Sequence, residues 1–192
     1  MLNIKGLFNL SGKVALVTGG GAGLGREFCD VLAEFGADVV CCDLRRDRAE
    51  ETSGIIGRYG HQALAIKVDI SEYDQVQAVF RRVEETFGHL DVLVNNAGIT
   101  TRSAVIEEVE IAEWQKLLNV NLSSVFYCMK EGLRLMARQK KGTVINIASI
   151  LGMYGSDPGI FSKAAYAASK AGIIGLTREG AAEYGRYGIR IN

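Results

Sequence analysis

The chain has 192 residues, 48% of them apolar and 23% charged, with 22 Lys+Arg against 22 Asp+Glu. That length holds one α/β domain with a full core. The zero net charge speaks against a partner held by bulk electrostatics, whether nucleic acid or an anionic membrane surface. No apolar run reaches the length of a bilayer span, and Met1 to Leu10 lacks the charged and apolar regions of a signal peptide, so a cytoplasmic protein is expected. Cys29, Cys41, Cys42 and Cys128 form no C-x-x-C pair, and His61 and His89 stand apart. No zinc site is expected, and the cysteines read as reduced core residues.

In chain order, short β-branched apolar runs alternate with helical spacings. The runs are 14–17, 39–42, 64–68, 92–94 and 144–147, each suited to a strand buried on both faces. Leu24, Phe28, Val31, Leu32 and Phe35 fall on one helical face, closed by Gly36. Val76, Val79, Phe80, Val83 and Phe87 repeat the spacing, closed by Gly88, with Ser71 as N-cap and Asp74 three residues on. Two longer helical stretches run from about 111 to 138 and 165 to 184. This alternation predicts a Rossmann-type α/β fold: a doubly wound parallel sheet with helices on both faces, in one domain over 1–192. Ligands of such sheets bind at the carboxyl ends of the strands.

After the first run comes Thr18-Gly19-Gly20-Gly21-Ala22-Gly23-Leu24-Gly25, opening into the first helix. Glycines there permit a tight turn and close approach to a pyrophosphate, and the helix N-terminus offers free N–H groups. The second run ends at Asp43, whose carboxylate suits the adenosine ribose hydroxyls and repels a 2′-phosphate. NAD is therefore the expected cofactor, with NADP the alternative if Arg45 and Arg46 reach that phosphate. Asp69 follows the third run, as a turn residue or as a neighbour of the adenine. The fourth run ends in Asn95-Asn96-Ala97-Gly98. Tyr166 lies seventeen residues after Ser149 and four before Lys170, so one helix face carries both, and the ammonium favours the phenolate. Such a tyrosine suits general acid/base work.

The T-G-x-x-x-G-x-G turn, the N-N-A-G segment and the Tyr166-Ala167-Ala168-Ser169-Lys170 motif resemble the short-chain dehydrogenase/reductase family over 13–192. The resemblance implies a catalytic tetrad of Asn121, Ser149, Tyr166 and Lys170. Tyr166 would exchange a proton with the substrate oxygen, Ser149 polarise that oxygen, and Lys170 hold the nicotinamide ribose. Asn121, within Asn119-Val120-Asn121, would position a relay water; Asn119 competes by sequence alone. Thr18, Gly19, Gly23, Leu24, Gly25, Asp43, Asp69, Asn96, Ala97 and Gly98 would line the cofactor site with Tyr166 and Lys170. Ala22 stands where relatives preferring NADP often carry a basic residue. The implied activity is hydride transfer between nicotinamide and a secondary alcohol or ketone. Polyol- or gluconate-type substrates come first, 3-oxoacyl-[acyl-carrier-protein] reduction second, and a non-catalytic cofactor-binding scaffold a remote third.

Two features depart from the family pattern. The segment between Ser149 and Tyr166 is longer than usual, and its turn-rich stretch 155–159 either shapes specificity or is a surface loop. The chain ends at Asn192, where a sixth strand begins, so a missing C-terminal part is expected, and residues 1–192 alone should be inactive or unstable. Relatives are commonly dimers or tetramers built through the helices carrying Asn121 and Tyr166. The small residues Ala164, Ala165, Ala167, Ala168, Ala171 and Gly172 fit such packing, or packing against the chain's own sheet.

Overall fold

The computed structural model describes residue 6 and residues 8–155 and 163–192. Its centre is one six-stranded, wholly parallel sheet in the order β3-β2-β1-β4-β5-β6. The strands are β1 (Val14–Thr18), β2 (Asp38–Asp43), β3 (Ala63–Lys67), β4 (Val92–Asn95), β5 (Gly142–Asn146) and β6 (Ile189–Ile191). Helices α1 (Gly23–Glu34), α2 (Arg46–Gly57), α3 (Tyr73–Phe87), α4 (Ile111–Leu118), α5 (Ser124–Gln139) and α6 (Ala164–Tyr184) connect them. The order reverses between β1 and β4, so their carboxyl ends open a crevice at the sheet centre.

Period-two side chains divide the core in two. Val14, Leu16, Val40, Cys42, Leu93 and Val144 face α3, α5 and α6, where Phe80, Met129, Met136 and Ile173 cover them. Ala15, Val17, Val39, Cys41 and Val94 face α1 and α2, met by Cys29, Ala33, Ala49 and Ile56. All four cysteines are free and buried. Burial pushes the Cys128 thiol up to about 12 and the Cys42 thiol well above its ordinary value.

Several expectations shift. Phe28 and Leu32 of the expected face pack half-buried against the sheet beside the fully buried Cys29 and Ala33, while Leu24 and Val31 are 64% and 49% exposed. Close helix–strand approach gives the most buried positions to small residues. Ser71 does not cap α3: Glu72 holds the N-cap, and the Ser71 hydroxyl and N–H both donate to Asp69 Oδ1. Gly88 does close α3, in the left-handed region at φ 76°. Edge strand β3 is only half-buried, and Ile145 of β5 is exposed. Helix α2 went unread because its buried positions Ala49, Thr52 and Ile56 carry almost no periodic apolar signal. The stretch read as one helix from 111 to 138 is helical throughout, with a π-helical segment at Asn119–Ser123 between α4 and α5.

Candidate active site

A cleft of about 890 Å³ opens at the strand ends around the sheet's reversal point. Gly19, Leu24 and Gly25 of the glycine turn line it, with Asp43, Asp69, Asn96, Ala97 and Gly98. The turn is held by geometry only glycine allows. A Cβ on Gly25 would lie 2.1 Å from the Gly19 carbonyl oxygen, and one on Gly19, at φ +64°, would lie 2.9 Å from Ala97 Cα. The Asn96 amide donates to the carbonyls of Thr18 and Gly19 at 2.9 and 3.3 Å. Helix α1 is then preceded by Ala22 at its N-cap, which offers no side-chain acceptor, and its first turn carries no acid. Its N–H groups and positive dipole end are left for an anion. This cradle fits the pyrophosphate of a dinucleotide.

Thr18 and Gly23 do not line the cleft. Thr18 is buried; its hydroxyl accepts from the N–H groups of Asn96 and Ala97 at 3.0 and 3.1 Å and so ties β1 to the turn after β4. Gly23 supplies a backbone at φ +52° as α1 begins. Asp43 accepts from the Gly21 and Arg45 N–H groups at 3.0 and 2.9 Å, which fixes its carboxylate at the cleft wall. Arg45 is paired with Asp47 at 2.5 Å and Arg46 with Glu50 at 3.6 Å. Sequence reasoning passed over Arg48, which lines the cleft beside Asp43. It also passed over Leu44, Val68 and Ile70, the apolar wall near Asp69. No local pattern marks these residues; they gather because β2 and β3 end side by side.

The four tetrad residues sit past β4 and β5 and on α6. Ser149 N-caps a short 3-10 turn, Ile150–Gly152, and its Oγ accepts from the Leu151 N–H at 3.2 Å. That turn rests on α6: a Cβ on Gly152 would lie 2.7 Å from the Lys170 carbonyl carbon. Lys170 is 5% exposed. Its Nζ donates to the Ile147 carbonyl at 2.5 Å and lies 5.6 Å from the centre of the Tyr166 ring. Burial holds the Lys170 ammonium below its ordinary pKa. Asn121 lies in the π-turn, 1% exposed. Its Oδ1 accepts from the Ile99 N–H at 2.8 Å, and its Nδ2 donates to the Ile99 carbonyl and to Ser169 Oγ at 2.9 and 3.3 Å. Its side chain is thus committed to protein partners, while Asn119 lines the cleft. Tyr166 and Lys170 lie outside the cleft lining. Of the turn-rich stretch, Gly155 is exposed and 156–159 lie outside the described residues.

Among the described residues there is no group of three His, Cys, Asp or Glu able to hold a metal, and no helix long and apolar enough to cross a membrane.

Residues 13–192 match the family model described as short chain dehydrogenase. The chain is 38% identical over 180 residues to a cis-4-hydroxycyclohexanecarboxylate dehydrogenase of Sinomonas cyclohexanicum, covering 94% of this chain and 70% of that protein. It is 36% identical to a 3-oxoacyl-[acyl-carrier-protein] reductase of Thermotoga maritima, covering 95% and 72%. The crystal structure of an NAD+-bound xylitol dehydrogenase superposes with a TM-score of 0.91 at 31% identity, over 95% of this chain and 69% of that one.

Proposed function

The chain belongs to the short-chain dehydrogenase/reductase family of nicotinamide-dependent oxidoreductases acting on CH–OH groups, and we propose that it interconverts a secondary alcohol and its ketone, with Tyr166 as general acid/base and NAD as preferred cofactor. The observation that carries this reading is the Lys170 ammonium, buried and held 5.6 Å from the centre of the Tyr166 ring, on a helix packed against the Ser149 turn.

Each residue then has a task. The Ser149 hydroxyl, its oxygen fixed by the Leu151 N–H, donates to the substrate oxygen. The Tyr166 phenol passes a proton to that oxygen in reduction and takes it back in oxidation. Lys170 stabilises negative charge on the phenolic oxygen as the proton leaves, through low-dielectric surroundings that strengthen the interaction. Asn121 acts through the π-turn: its amide clamps Ile99 to Ser169, one residue before Lys170. Gly19, Gly25 and the start of α1 would hold the pyrophosphate of a dinucleotide, Asp43 its adenosine ribose, and the slot at Asp69 and Ile70 its adenine; the nicotinamide would supply hydride chemistry at the carbinol carbon.

Asp43 supports NAD, and Arg45 and Arg46, the candidate readers of a 2′-phosphate, are each paired with an acid of α2 at the surface. Arg48, a cation at the cleft wall beside Asp43, is the residue through which NADP would be favoured. Titration with both dinucleotides decides: NAD at least about tenfold tighter, or about 1.4 kcal/mol, supports Asp43. Tighter NADP binding moves 3-oxoacyl-[acyl-carrier-protein] reduction ahead of polyol, gluconate or alicyclic alcohol substrates. A homodimer or homotetramer through α5 and α6 and a cytoplasmic location complete the proposal. Residues 1–192 are taken as one cofactor-binding domain.

Tyr166→Phe tests the chemistry. Turnover should fall about 10²–10⁴-fold with NAD affinity nearly unchanged. A variant that keeps most of its turnover overturns the assignment.

A further inference from the structure

We propose that the buried chain Asn95–Asn146–Thr177 is a positioning device for Lys170, setting where α6 rests on β5 and hence where the ammonium stands against Tyr166. The inference rests on the reading of Tyr166 and Lys170 as the acid/base pair.

Asn95 ends β4 and Asn146 ends β5, paired directly across the sheet. Asn95 Nδ2 donates to Asn146 Oδ1 at 2.8 Å, and Asn146 Nδ2 donates to Thr177 Oγ1 at 2.9 Å. Thr177 Oγ1 in turn donates to the Ile173 carbonyl at 2.8 Å, one turn back along α6. The next residue of the same strand end, Ile147, donates its N–H to the Asn95 carbonyl at 3.0 Å and accepts Lys170 Nζ at 2.5 Å. Lys170 and Thr177 are seven residues apart, so one helix face carries both, about 10.5 Å apart along the axis. Asn146, the last residue of β5, and Ile147 just after it therefore grip α6 at two points. A slide of one residue, about 1.5 Å, breaks both grips.

The bonds run one way along the chain: Thr177 donates to the Ile173 carbonyl and accepts from Asn146 Nδ2. Asn146 Oδ1 must then face Asn95, and Asn95 must present its NH₂. The consequence is that Asn95 Oδ1 is buried without a partner among the described residues, on a side chain whose residue is 3% exposed. A chain serving stability alone gains nothing from that orphan, since apolar residues of the same shape avoid it. Its directional bonds do what apolar contacts cannot: they fix the height and rotation of α6.

Thr177→Val removes the hydroxyl at nearly constant shape, and Thr177→Ser restores it. Two readouts are taken on the full chain. The first is kcat per NAD-binding site on cis-4-hydroxycyclohexanecarboxylate or xylitol; where the wild type turns over neither, the second readout decides alone. The second needs no turnover: the rate of Lys170 acetylation by the N-hydroxysuccinimide ester of acetic acid, mapped by mass spectrometry, with Cys128 alkylation as the reporter of general loosening. In Thr177→Val, kcat should fall about ten- to a hundredfold with substrate KM within twofold. Lys170 should label at least fivefold faster with Cys128 unchanged, and Ser should reverse both effects. Wild-type kcat or wild-type Lys170 labelling in a folded Thr177→Val protein overturns the proposal, as does equal loosening at Cys128. If Thr177→Val does not fold, Thr177→Ala makes the same deletion with a better helix former and is judged by the same criteria. Tyr166→Phe run alongside separates the two ideas. If it keeps turnover, the acid/base reading fails; if it loses turnover while the Thr177 variants do not, only the positioning role fails.

Discussion

Gly25→Ala isolates the glycine turn in one methyl group. The added Cβ would stand 2.1 Å from the Gly19 carbonyl oxygen and 2.6 Å from Asn96 Nδ2, where ordinary contact begins at 3.4 Å. The turn must therefore open by about 1.3 Å against its backbone. It cannot do so and keep the Asn96 bonds to Thr18 and Gly19. Overpacking of this kind costs about 1–3 kcal/mol, and a lost hydrogen bond about 1 kcal/mol. If the dinucleotide needs the closed turn, a displacement of about 2–4 kcal/mol weakens NAD by roughly thirty- to a thousandfold. The assay is NAD titration by calorimetry beside thermal unfolding without ligand. Gly54→Ala is the control: it lies in α2 with nothing within 4 Å of the new Cβ. It should leave NAD binding unchanged and stabilise the fold by about 0.5–1 kcal/mol. Wild-type NAD affinity in Gly25→Ala would refute the assignment of this turn as the phosphate cradle.

Two further outcomes concern the scaffold. Lys140, after α5, is a non-glycine residue in the left-handed region at φ 56°. Lys140→Gly should stabilise the protein by about 1 kcal/mol and raise Tm by about 2–4 °C without changing turnover, read by differential scanning calorimetry. Asp91 sits below the sheet in contact with Lys13, Lys141 and His89. Burial pushes its carboxyl up, but the Val14 N–H and the Lys13 and Lys141 ammonium groups outweigh this and hold it below the ordinary carboxylate value. A depressed folded-state pKa gives stability that is present above the unfolded value of about 4 and lost as pH falls through the folded one. Asp91→Asn should therefore lower Tm near neutrality and flatten its decline below about pH 4; an unchanged acid limb would assign that limb to other groups.

The alternation of apolar runs and helical spacings was enough for a parallel doubly wound sheet, because strands buried on both faces must be apolar throughout and their connections must cross over. The glycine turn and the Tyr166–Lys170 spacing are written within one turn and one helix face, which primary structure records directly; Asp43 and Ser149 stand at other strand ends, and Ser149 entered through the family resemblance. Three things were decided only in three dimensions. The most buried positions of α1 are its small residues, with Phe28 and Leu32 beside them, since the permitted helix–strand distance depends on what stands opposite. Asn121 spends its amide on Ile99 and Ser169, partners 22 and 48 residues away that no local pattern announces. Arg48 reaches the cleft while Arg45 and Arg46 turn to their own acids, a choice set by the orientation of α2 after β2. Local spacing fixes which groups are available. Long-range packing decides which of them meet, because the contacts that orient a side chain come from strands and helices remote in sequence.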